Sequence, residues 1–450
     1  MKKLFGTDGI RGIANEELTA DLAFKVGYAA AVVLRKEISK NPKILIGTDT
    51  RVSAAMLEAA ITAGANSAGA DVFTVGVMPT PAVAYLTRFY SCDAGIVISA
   101  SHNSYEFNGL KIFSHRGYKL QDELEAQIEA EVNAYDSAKR VNSSTNIGRR
   151  IEKRNGADDY LRHLVGSLGL SLEGQKIALD CANGAAYQIG PELFRKLGAE
   201  VITIGVEPNG FNINQDCGST APQRLIEAVL NSGADLGLAF DGDADRLLAI
   251  DETGRLVDGD GILMILAADM KAQGKLLKNG AVATVMSNFG LDEFMRKKQI
   301  DLLKTDVGDR NVLESMLEEG YILGGEQSGH IILLDHATTG DGMVSALSLL
   351  GALQRSGERL AIAREHWRIY PQVLINVRIP NDLKQKVMSD PSIQEQIQEF
   401  SETLGERGRI LVRPSGTEPK VRIMLEGEAK DEIQRMAEFL ANLISSRYGI

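Results

Sequence analysis

Short apolar runs that end in polar loops recur along this 450-residue chain and constrain its fold more than any other feature. The runs alternate with helical patterns, and strands that alternate with helices form sheets covered by crossover helices. The sequence therefore predicts an α/β protein. The predicted strands are residues 43–47, 71–75, 95–98, 176–180, 200–204 and 281–285.

An internal repeat indicates more than one copy of the same module. In residues 69–77, and again in residues 198–206, a helical stretch ends at a Gly-Ala pair and the chain enters a strand. A third and poorer match runs from Ala281 to a predicted strand at 300–303. Any strand–helix–strand unit has this pattern, so the similarity can reflect either a repeated module or only the features that all such units share. Both interpretations stay open.

A chain of 450 residues is too long for one hydrophobic core, and several domains are expected. Polar or turn-forming stretches at 137–154, 251–254 and 367–371 are the predicted boundaries. After Pro371 the pattern changes to strand, helix, two strands and a final helix, which predicts a small α+β domain with an antiparallel sheet. The predicted domains are residues 1–150, 151–252, 253–368 and 369–450.

Bulk composition limits the partners of the chain. The formal net charge of −11 disfavours nonspecific binding to nucleic acid, although local arginines can still hold an anionic substrate. Three scattered cysteines fit a reducing compartment better than a disulfide framework. The first residues lack the apolar stretch of a signal peptide, and no segment is apolar enough to span a membrane. We expect a cytoplasmic protein.

Three aspartates alternate in the loop 241–246, directly after an apolar run. Alternate side chains of an extended loop point to one side, so Asp241, Asp243 and Asp245 can converge on one ion, and carboxylate oxygens suit Mg²⁺. The loop does not match an EF-hand, because Arg246 stands where that motif needs glycine and the flanks are predicted strands. A solvated acidic turn stays an alternative.

Ser101 lies in the small-residue loop 99–103, behind another apolar run. A phosphorylated serine beside a metal ion is a good phosphoryl donor, so this hydroxyl and the aspartate loop together suggest phosphoryl transfer. His102 follows directly, and Lys111 is close enough in sequence to stabilise negative charge or to carry a proton. An ordinary turn serine and a solvated lysine are the alternatives.

Two further loops carry candidates for sugar binding and proton transfer. In the loop 324–330, Glu326 and Ser328 alternate and suit two neighbouring sugar hydroxyls, while His330 can titrate near neutral pH. Near the N-terminus, Arg11 lies among three glycines, which rarely build a core, and is a candidate for binding phosphate. A purely structural role for the histidine stays open.

The segment 413–422 is a predicted phosphate clamp. Its two arginines offer planar charged groups, and the residues between them offer hydroxyls and backbone N–H groups. An ordinary hairpin rich in proline and glycine is the alternative. The predicted clamp consists of Arg413, Ser415, Gly416, Thr417 and Arg422.

In their order along the chain, these motifs resemble the α-D-phosphohexomutase superfamily, and the resemblance runs from residue 4 to residue 427. The matching loops are 6–12, 99–103, 241–246, 324–330 and 413–422. Within the superfamily, the chain resembles the subgroup that acts on an amino sugar. That closer resemblance rests on residues 4–12, 78–84, 307–310 and 338–342 and on Gln327.

The resemblance implies three related α/β domains and a C-terminal α+β domain around a central active-site cleft. These would carry, in order, the phosphoserine loop, the metal loop, the sugar loop and the phosphate clamp. It implies that Ser101 is phosphorylated at rest and holds Mg²⁺ together with the three aspartates. Glu326 and Ser328 would hold sugar hydroxyls, and the clamp would hold the phosphate that is not reacting. The implied catalytic set is Ser101, Arg11, Lys111, His330, His102 and Arg246.

The implied reaction interconverts glucosamine 6-phosphate and glucosamine 1-phosphate through a phosphoserine enzyme and a 1,6-bisphosphate intermediate. A trace of hexosamine or hexose 1,6-bisphosphate would act as activator. A mannose or glucose phosphate mutase is the nearest alternative, followed by a metal-dependent sugar phosphatase and a catalytically idle sugar-phosphate sensor. The expected partner is a small phosphosugar rather than nucleic acid or a membrane, and a homodimer stays open.

Two positions depart from the family pattern. Ser104 stands where the family usually has proline after Ser-His-Asn, which predicts a more mobile loop and an altered turnover rate. Thr48 stands where the family commonly has a basic residue, which predicts only a local effect.

Overall fold

A computed structural model of the protein describes residues 4–6, 8–136, 146–415 and 418–449. The chain forms two compact units. The first unit comprises Met1–Met286 and Ile300–Arg364, and the C-terminal unit comprises Ser287–Gln299 and Glu365–Ile450. No helix in the described ranges is long and apolar enough to cross a membrane.

The first sheet of the first unit contains six strands. They are β1 (Ile10–Ile13), β2 (Lys43–Thr48), β3 (Asp71–Val77), β4 (Ala94–Ile98), β5 (Phe107–Ser114) and β6 (Arg150–Glu152). Their order is β1-β5-β4-β2-β3-β6, and β5 is antiparallel to both of its neighbours. The predicted domain boundary at residue 150 falls inside β6. The accompanying helices are α1 (Ala20–Glu37), α2 (Ala54–Ser67), α3 (Thr80–Phe89) and α4 (Asp122–Asn133).

Two smaller sheets complete the first unit. The second sheet and its helices are α5 (Gly156–Leu168), β7 (Lys176–Asp180), α6 (Ile189–Lys196), β8 (Glu200–Ile204), α7 (Gln223–Ser232), β9 (Leu236–Phe240), β10 (Leu247–Asp251) and β11 (Leu256–Val257). The third sheet and its helices are α8 (Gly259–Ala272), β12 (Gly280–Thr284), β13 (Asp301–Thr305), α10 (Asp309–Glu319), β14 (Leu323–Gly325), β15 (Ile331–Leu333), α11 (Gly342–Ser356) and α12 (Leu360–Arg364).

The three sheets share one topology. Their common strands lie in the orders β5-β4-β2-β3, β10-β9-β7-β8 and β15-β14-β12-β13. Three of these common strands run parallel in each sheet, and the chain then reverses into an antiparallel strand beside the last of them. This confirms the prediction of three related α/β domains, and the six predicted strands are all present.

The C-terminal unit is an α+β domain, as predicted. Its elements are α9 (Phe289–Lys297), β16 (Gln372–Arg378), α13 (Lys384–Ser389), α14 (Pro391–Leu404), β17 (Gly408–Pro414), β18 (Lys420–Gly427) and α15 (Lys430–Tyr448), and the strands form an antiparallel sheet in the order β16-β18-β17. The buried Glu426 ties the start of α9 to this sheet. Its carboxylate accepts hydrogen bonds from Phe289 N at 3.1 Å and Asn288 Nδ2 at 3.2 Å, and pairs with Arg409 Nε at 2.6 Å.

Two glycines allow α1 and α2 to pack closely against each other. A Cβ atom at Gly27 would overlap the carbonyl oxygen of Ile61, and one at Gly64 would overlap that of Phe24. Both obstacles are backbone atoms, which no side-chain rotation can move. An alanine at either position would therefore force the two helices apart.

We expect Gly64→Ala to destabilise the first unit by about 1–3 kcal/mol, the usual cost of overpacking a core. Gly166→Ala in α5 is a matched control, because a Cβ atom there meets nothing within 4 Å. Replacing that helical glycine by alanine should raise stability by about 0.5–1 kcal/mol. Calorimetry measures the unfolding temperature of both variants. A Gly64→Ala protein that unfolds at or above the wild-type temperature would contradict the inferred close packing of α1 and α2.

Candidate active site

The same loop of each α/β sheet carries one of the predicted motifs. This loop joins the third parallel strand to the antiparallel strand beside it. After β4 it contains Ser101, after β9 it contains the three aspartates, and after β14 it contains Glu326, Ser328 and His330. Ligands of α/β sheets bind outside the carboxyl ends of the strands, and all three loops leave such ends.

Ser101 is buried and makes direct contact with the aspartate loop. Its Oγ donates a hydrogen bond to Asp241 Oδ2 at 2.6 Å, although the two residues are 140 positions apart. Its Oγ also lies 3.4 Å from His102 Nδ1. Burial, together with the charges of Arg246 and Arg11, lowers the pKa of His102 to about 4, so that this ring is neutral near pH 7.

Asp241, Asp243 and Asp245 are buried and converge on one point. One carboxylate oxygen from each lies within 4.8 Å of the others. Asp243 Oδ1 and Asp245 Oδ1 have no hydrogen-bond partner in the part of the chain that the structure describes. Buried carboxylate oxygens without donors are costly, and a hard divalent cation would satisfy them. The cluster therefore fits a metal ion and is not a solvated acidic turn.

Lys111 is the cation nearest to this cluster. Its Nζ lies 2.8 Å from Asp243 Oδ2, 3.3 Å from Asp245 Oδ2 and 3.6 Å from Asp8 Oδ2, so it is not a solvated lysine. Burial alone would lower the pKa of Lys111, but the three carboxylates outweigh burial and raise this pKa well above its ordinary value. The side chain is therefore held as a cation.

His330 lies near two carboxylates, one of which also pairs with Lys111. Its Nδ1 lies 3.6 Å from Asp245 Oδ2 and its Nε2 lies 3.9 Å from Asp309 Oδ2. The Nε2 atom accepts a hydrogen bond from Gly340 N at 3.1 Å, which leaves the proton of the neutral ring on Nδ1. Burial alone would lower the pKa of His330, but the carboxylates raise it above its ordinary value.

A closed ring of ionisable side chains runs through these contacts. Lys119 completes it, since its Nζ pairs with Asp8 Oδ1 at 2.7 Å and with Asp309 Oδ2 at 2.6 Å. Lys119 was not among the predicted site residues, and Asp8 and Asp309 were predicted only as members of the motifs 4–12 and 307–310. In order, the ring consists of Asp8, Lys119, Asp309, His330, Asp245 and Lys111.

A cavity of about 620 Å³ opens beside the ring, a size within the usual range for small-molecule sites. Glu326 Oε1 accepts a hydrogen bond from Gly308 N at 3.1 Å, and Ser328 is exposed to the cavity. The Nε atoms of Arg11 and Arg246 are buried without a hydrogen-bond partner in the described part of the chain, although Arg246 Nε lies 3.8 Å from Asp245 Oδ1. Predicted site residues that line this cavity are Arg11, His102, Asp245, Arg246, Glu326, Ser328 and His330.

The predicted phosphate clamp lies in the C-terminal unit. Arg413 and Arg422 are opposite each other on β17 and β18. Arg422 Nη2 donates to Glu418 Oε2 at 3.1 Å, while its Nε is buried without a described partner. Sequence analysis missed Lys384, whose Nζ donates to the carbonyl oxygen of Ser415 at 2.6 Å. The predicted clamp residues Gly416 and Thr417 lie outside the described residues.

Thr80, at the start of α3, is a further contact that sequence analysis missed. Its Oγ1 donates to Asp243 Oδ2 at 2.6 Å, and its backbone N–H donates to Asp243 O at 2.9 Å. Hydrogen bonds of this kind orient metal ligands and fix their affinity. The sequence holds no signal for this pairing, because 163 positions separate the two residues.

Comparison with family models covers most of the chain. Residues 2–139, 158–254 and 258–370 match alpha/beta/alpha domains I, II and III of phosphoglucomutase/phosphomannomutase, and residues 374–443 match its C-terminal domain. The chain is 52% identical over 451 residues to a phosphoglucosamine mutase of Acetivibrio thermocellus, covering 100% of both proteins. It is 51% identical to a phosphoglucosamine mutase of Caldicellulosiruptor bescii, covering 99% of this chain and 100% of that one.

Solved structures share the fold at low sequence identity. A phosphoglucomutase/phosphomannomutase family protein of Burkholderia thailandensis is similar with a TM-score of 0.82 and 23% identity, covering 99% of this chain and 98% of that one. An N-acetylphosphoglucosamine mutase of Aspergillus fumigatus, in complex with GlcNAc-6P and magnesium, is similar with a TM-score of 0.71 and 18% identity. The match covers 98% of this chain and 95% of that one. These likenesses confirm the predicted architecture.

We expect Thr80→Val to weaken divalent-cation binding about tenfold, because it removes a hydrogen bond that orients one carboxylate. Thr87→Val is the matched control on the same helix, since the Thr87 hydroxyl is also buried but donates to the backbone oxygen of Val83. Titration with Mn²⁺ in the absence of sugar, followed by electron paramagnetic resonance, measures the affinity. Equal Mn²⁺ affinity of the two variants would contradict the assignment of Thr80.

Proposed function

Because this chain belongs to the phosphoglucomutase/phosphomannomutase family, we propose that it interconverts glucosamine 6-phosphate and glucosamine 1-phosphate. The observation that carries this proposal is the 2.6 Å hydrogen bond from the Ser101 hydroxyl to the buried carboxylate of Asp241. The choice of glucosamine is supported by relatives that match the full length of the chain and bear the name phosphoglucosamine mutase.

Mg²⁺ would be held by the phosphorylated Ser101 together with Asp241, Asp243 and Asp245. When bound, a divalent cation neutralises charge on the phosphoryl oxygens. The Oδ1 atoms of Asp243 and Asp245, which accept no hydrogen bond from any described residue, support this ligand set. Lys111 is already paired with both residues and adds a fixed positive charge to the same place.

In the proposed reaction, a free hydroxyl of the sugar phosphate attacks the phosphorus on Ser101, the bond from phosphorus to Oγ breaks, and Oγ takes up a proton to leave Ser101 as a free hydroxyl. We assign the hydroxyl proton to His330, because its ring can take up a proton inside the cavity. Lys111, Arg11 and Arg246 stabilise the transferred charge, since each is a cation at or beside the cavity. His102 contacts the Ser101 hydroxyl as a neutral ring.

The product of this step is a 1,6-bisphosphate, whose other phosphate then returns to Ser101. Such an intermediate needs one reactive phosphate site and one site for the idle phosphate. Arg413, Ser415 and Arg422 supply the second site in this proposal, with Gly416 and Thr417 beside them in sequence. Glu326 and Ser328 hold the sugar hydroxyls. A trace of hexosamine or hexose 1,6-bisphosphate would rephosphorylate any enzyme that has lost its phosphoserine.

We further propose that the reaction takes place in the cytoplasm. Cys92, Cys181 and Cys217 are all unpaired and buried, which supports a reducing compartment. The net charge of −11 supports a small anionic substrate held by local cations rather than a nucleic-acid partner.

We expect Ser101→Ala to lower mutase turnover by at least about 1,000-fold, because the group that carries the phosphoryl moiety is lost. Ser167→Ala is a matched control, since that hydroxyl only bonds the backbone oxygen of Leu164 within α5. Phosphorus NMR of each variant with Mg²⁺, glucosamine 6-phosphate and a trace of glucose 1,6-bisphosphate measures turnover. Full activity of the Ser101 variant would contradict the phosphoserine mechanism.

We expect the phosphorylated wild-type protein to isomerise glucosamine 6-phosphate well ahead of mannose and glucose 6-phosphates. The same phosphorus NMR assay, run in parallel on the three sugars, measures the preference. Faster conversion of mannose or glucose phosphate would keep the mechanism and reject the amino-sugar assignment. Inorganic phosphate as the main product would identify a phosphatase instead.

A further inference from the structure

We propose that Arg51 is a positioning residue that fixes the loop of Ser101 in the geometry required for phosphoryl transfer. This inference rests on the proposed function, in which Ser101 carries the phosphoryl group. Arg51 touches neither Asp241, Asp243 and Asp245 nor the cavity in the described contacts, so its effect must act through the loop.

The backbone of Ser101 adopts a conformation that needs external support. Its φ angle is +53°, in the left-handed region that residues with a Cβ atom rarely occupy. Such conformations persist where the surrounding structure determines them, and they cluster at functional sites. The contacts around Ser101 therefore show what holds the nucleophile in place.

Arg51 supplies three of those contacts from one side chain. Its Nη2 donates to Ser101 O at 3.0 Å and to Asn103 O at 2.9 Å, and its Nη1 donates to Ser104 O. The guanidinium is completely buried. Its planar fork can reach several carbonyl groups at once, which the single ammonium of a lysine cannot do in the same way. The contact to Ser104 restrains the position at which this chain lacks the family proline.

Asp49 links the same guanidinium, through Ser99, to the backbone N–H of Ser101. Arg51 Nε donates to Asp49 Oδ2 at 2.8 Å, and the same oxygen accepts a hydrogen bond from Ser99 Oγ at 2.6 Å. Ser99 Oγ in turn accepts from Ser101 N at 3.0 Å. One buried network therefore holds both the N–H and the carbonyl group of Ser101.

Asn214 holds the loop from the second α/β domain. Its Nδ2 donates to Ser101 O and Asn103 O, both at 2.9 Å. Its own backbone is tied to that domain, because Asn214 N donates to Ala182 O at 2.8 Å. The same two carbonyl oxygens thus receive donors from Arg51 in one domain and Asn214 in another.

The network fixes the direction of the Ser101 hydroxyl towards Asp241. A phosphoryl group on that hydroxyl must meet the attacking sugar oxygen in line, and small misplacements of reacting atoms cost large factors in rate. The sugar contacts at Glu326 and Ser328 do not involve the network. Loosening it should therefore lower kcat and leave KM unchanged.

The test uses Arg51→Lys in the full-length, Ser101-phosphorylated protein. This variant keeps a positive charge beside Asp49 but loses the fork that binds the loop carbonyls. We expect kcat for glucosamine 6-phosphate to fall about 100-fold with KM unchanged. We also expect the phosphorus resonance of the phosphoserine to move or broaden.

Asn214→Ala tests the same loop from the second domain and leaves the buried charge pair intact. It should produce the same pattern of lower kcat, unchanged KM and an altered phosphoserine resonance, with a smaller effect of roughly tenfold. Arg255→Lys is the matched control, because Arg255 Nε pairs with Asp251 Oδ2 at 2.9 Å in the hairpin of β10 and β11. The control should leave all three readouts unchanged.

If Arg51→Lys keeps the wild-type kcat per phosphorylated molecule and the wild-type phosphoserine resonance, Arg51 has a purely structural role. Where Arg51→Lys does not fold, the same result with Asn214→Ala leads to the same conclusion. That result overturns the proposal even if the melting temperature falls. A failure of the proposed function is seen separately, as an absence of glucosamine 1-phosphate from the phosphorylated wild-type protein or as full turnover by Ser101→Ala.

Discussion

Buried negative charge is the constraint on which the first unit depends. Asp241, Asp243 and Asp245 lie together inside the protein, where unpaired carboxylates are costly. Arg246 Nε of the same loop lies 3.8 Å from Asp245 Oδ1, but the closer compensation comes from other domains, since Lys111 lies on β5 of the first sheet and His330 lies in the β14–β15 loop of the third. Each α/β module alone would carry uncompensated charge or an unpaired cation. The site is therefore complete only in the assembled unit, where two of the carboxylate oxygens accept no hydrogen bond from the described residues.

One repeated topology explains why three modules build one site. Each sheet sends its third parallel strand into a loop and then into an antiparallel neighbour, and each of these loops has a different chemical content. The first loop provides a hydroxyl in Ser101, the second provides the clustered carboxylates, and the third provides Glu326 and His330. A shared scaffold with divergent loops separates the roles, because a change in one loop need not disturb the strands that position the others.

Sequence reasoning found the features whose signals are local. An apolar strand and the polar loop behind it are adjacent in sequence, so the strands, Ser101 and the aspartate loop were all accessible. It included Thr80 only as part of the 78–84 motif and missed its contact with Asp243, and it missed Asn214 altogether, because their partners lie 163 and 113 positions away. It also could not place α9, which lies between two strands of the third sheet in sequence but is bound by Glu426 in the C-terminal unit.

Lys111 and His330 are two basic groups in one site, and their different surroundings give them different protonation behaviour. Three carboxylates lie within 3.6 Å of the lysine ammonium, so deprotonation would leave them without their cation and the pKa of Lys111 is strongly raised. The imidazole lies farther from its carboxylates, which raise its pKa, while the backbone N–H of Gly340 binds Nε2 and favours the neutral ring. A group that is always charged suits electrostatic stabilisation, whereas a group with two accessible protonation states suits proton transfer. Environment rather than residue type therefore supports the proposed roles, in which His330 takes the proton and Lys111 supplies the fixed charge.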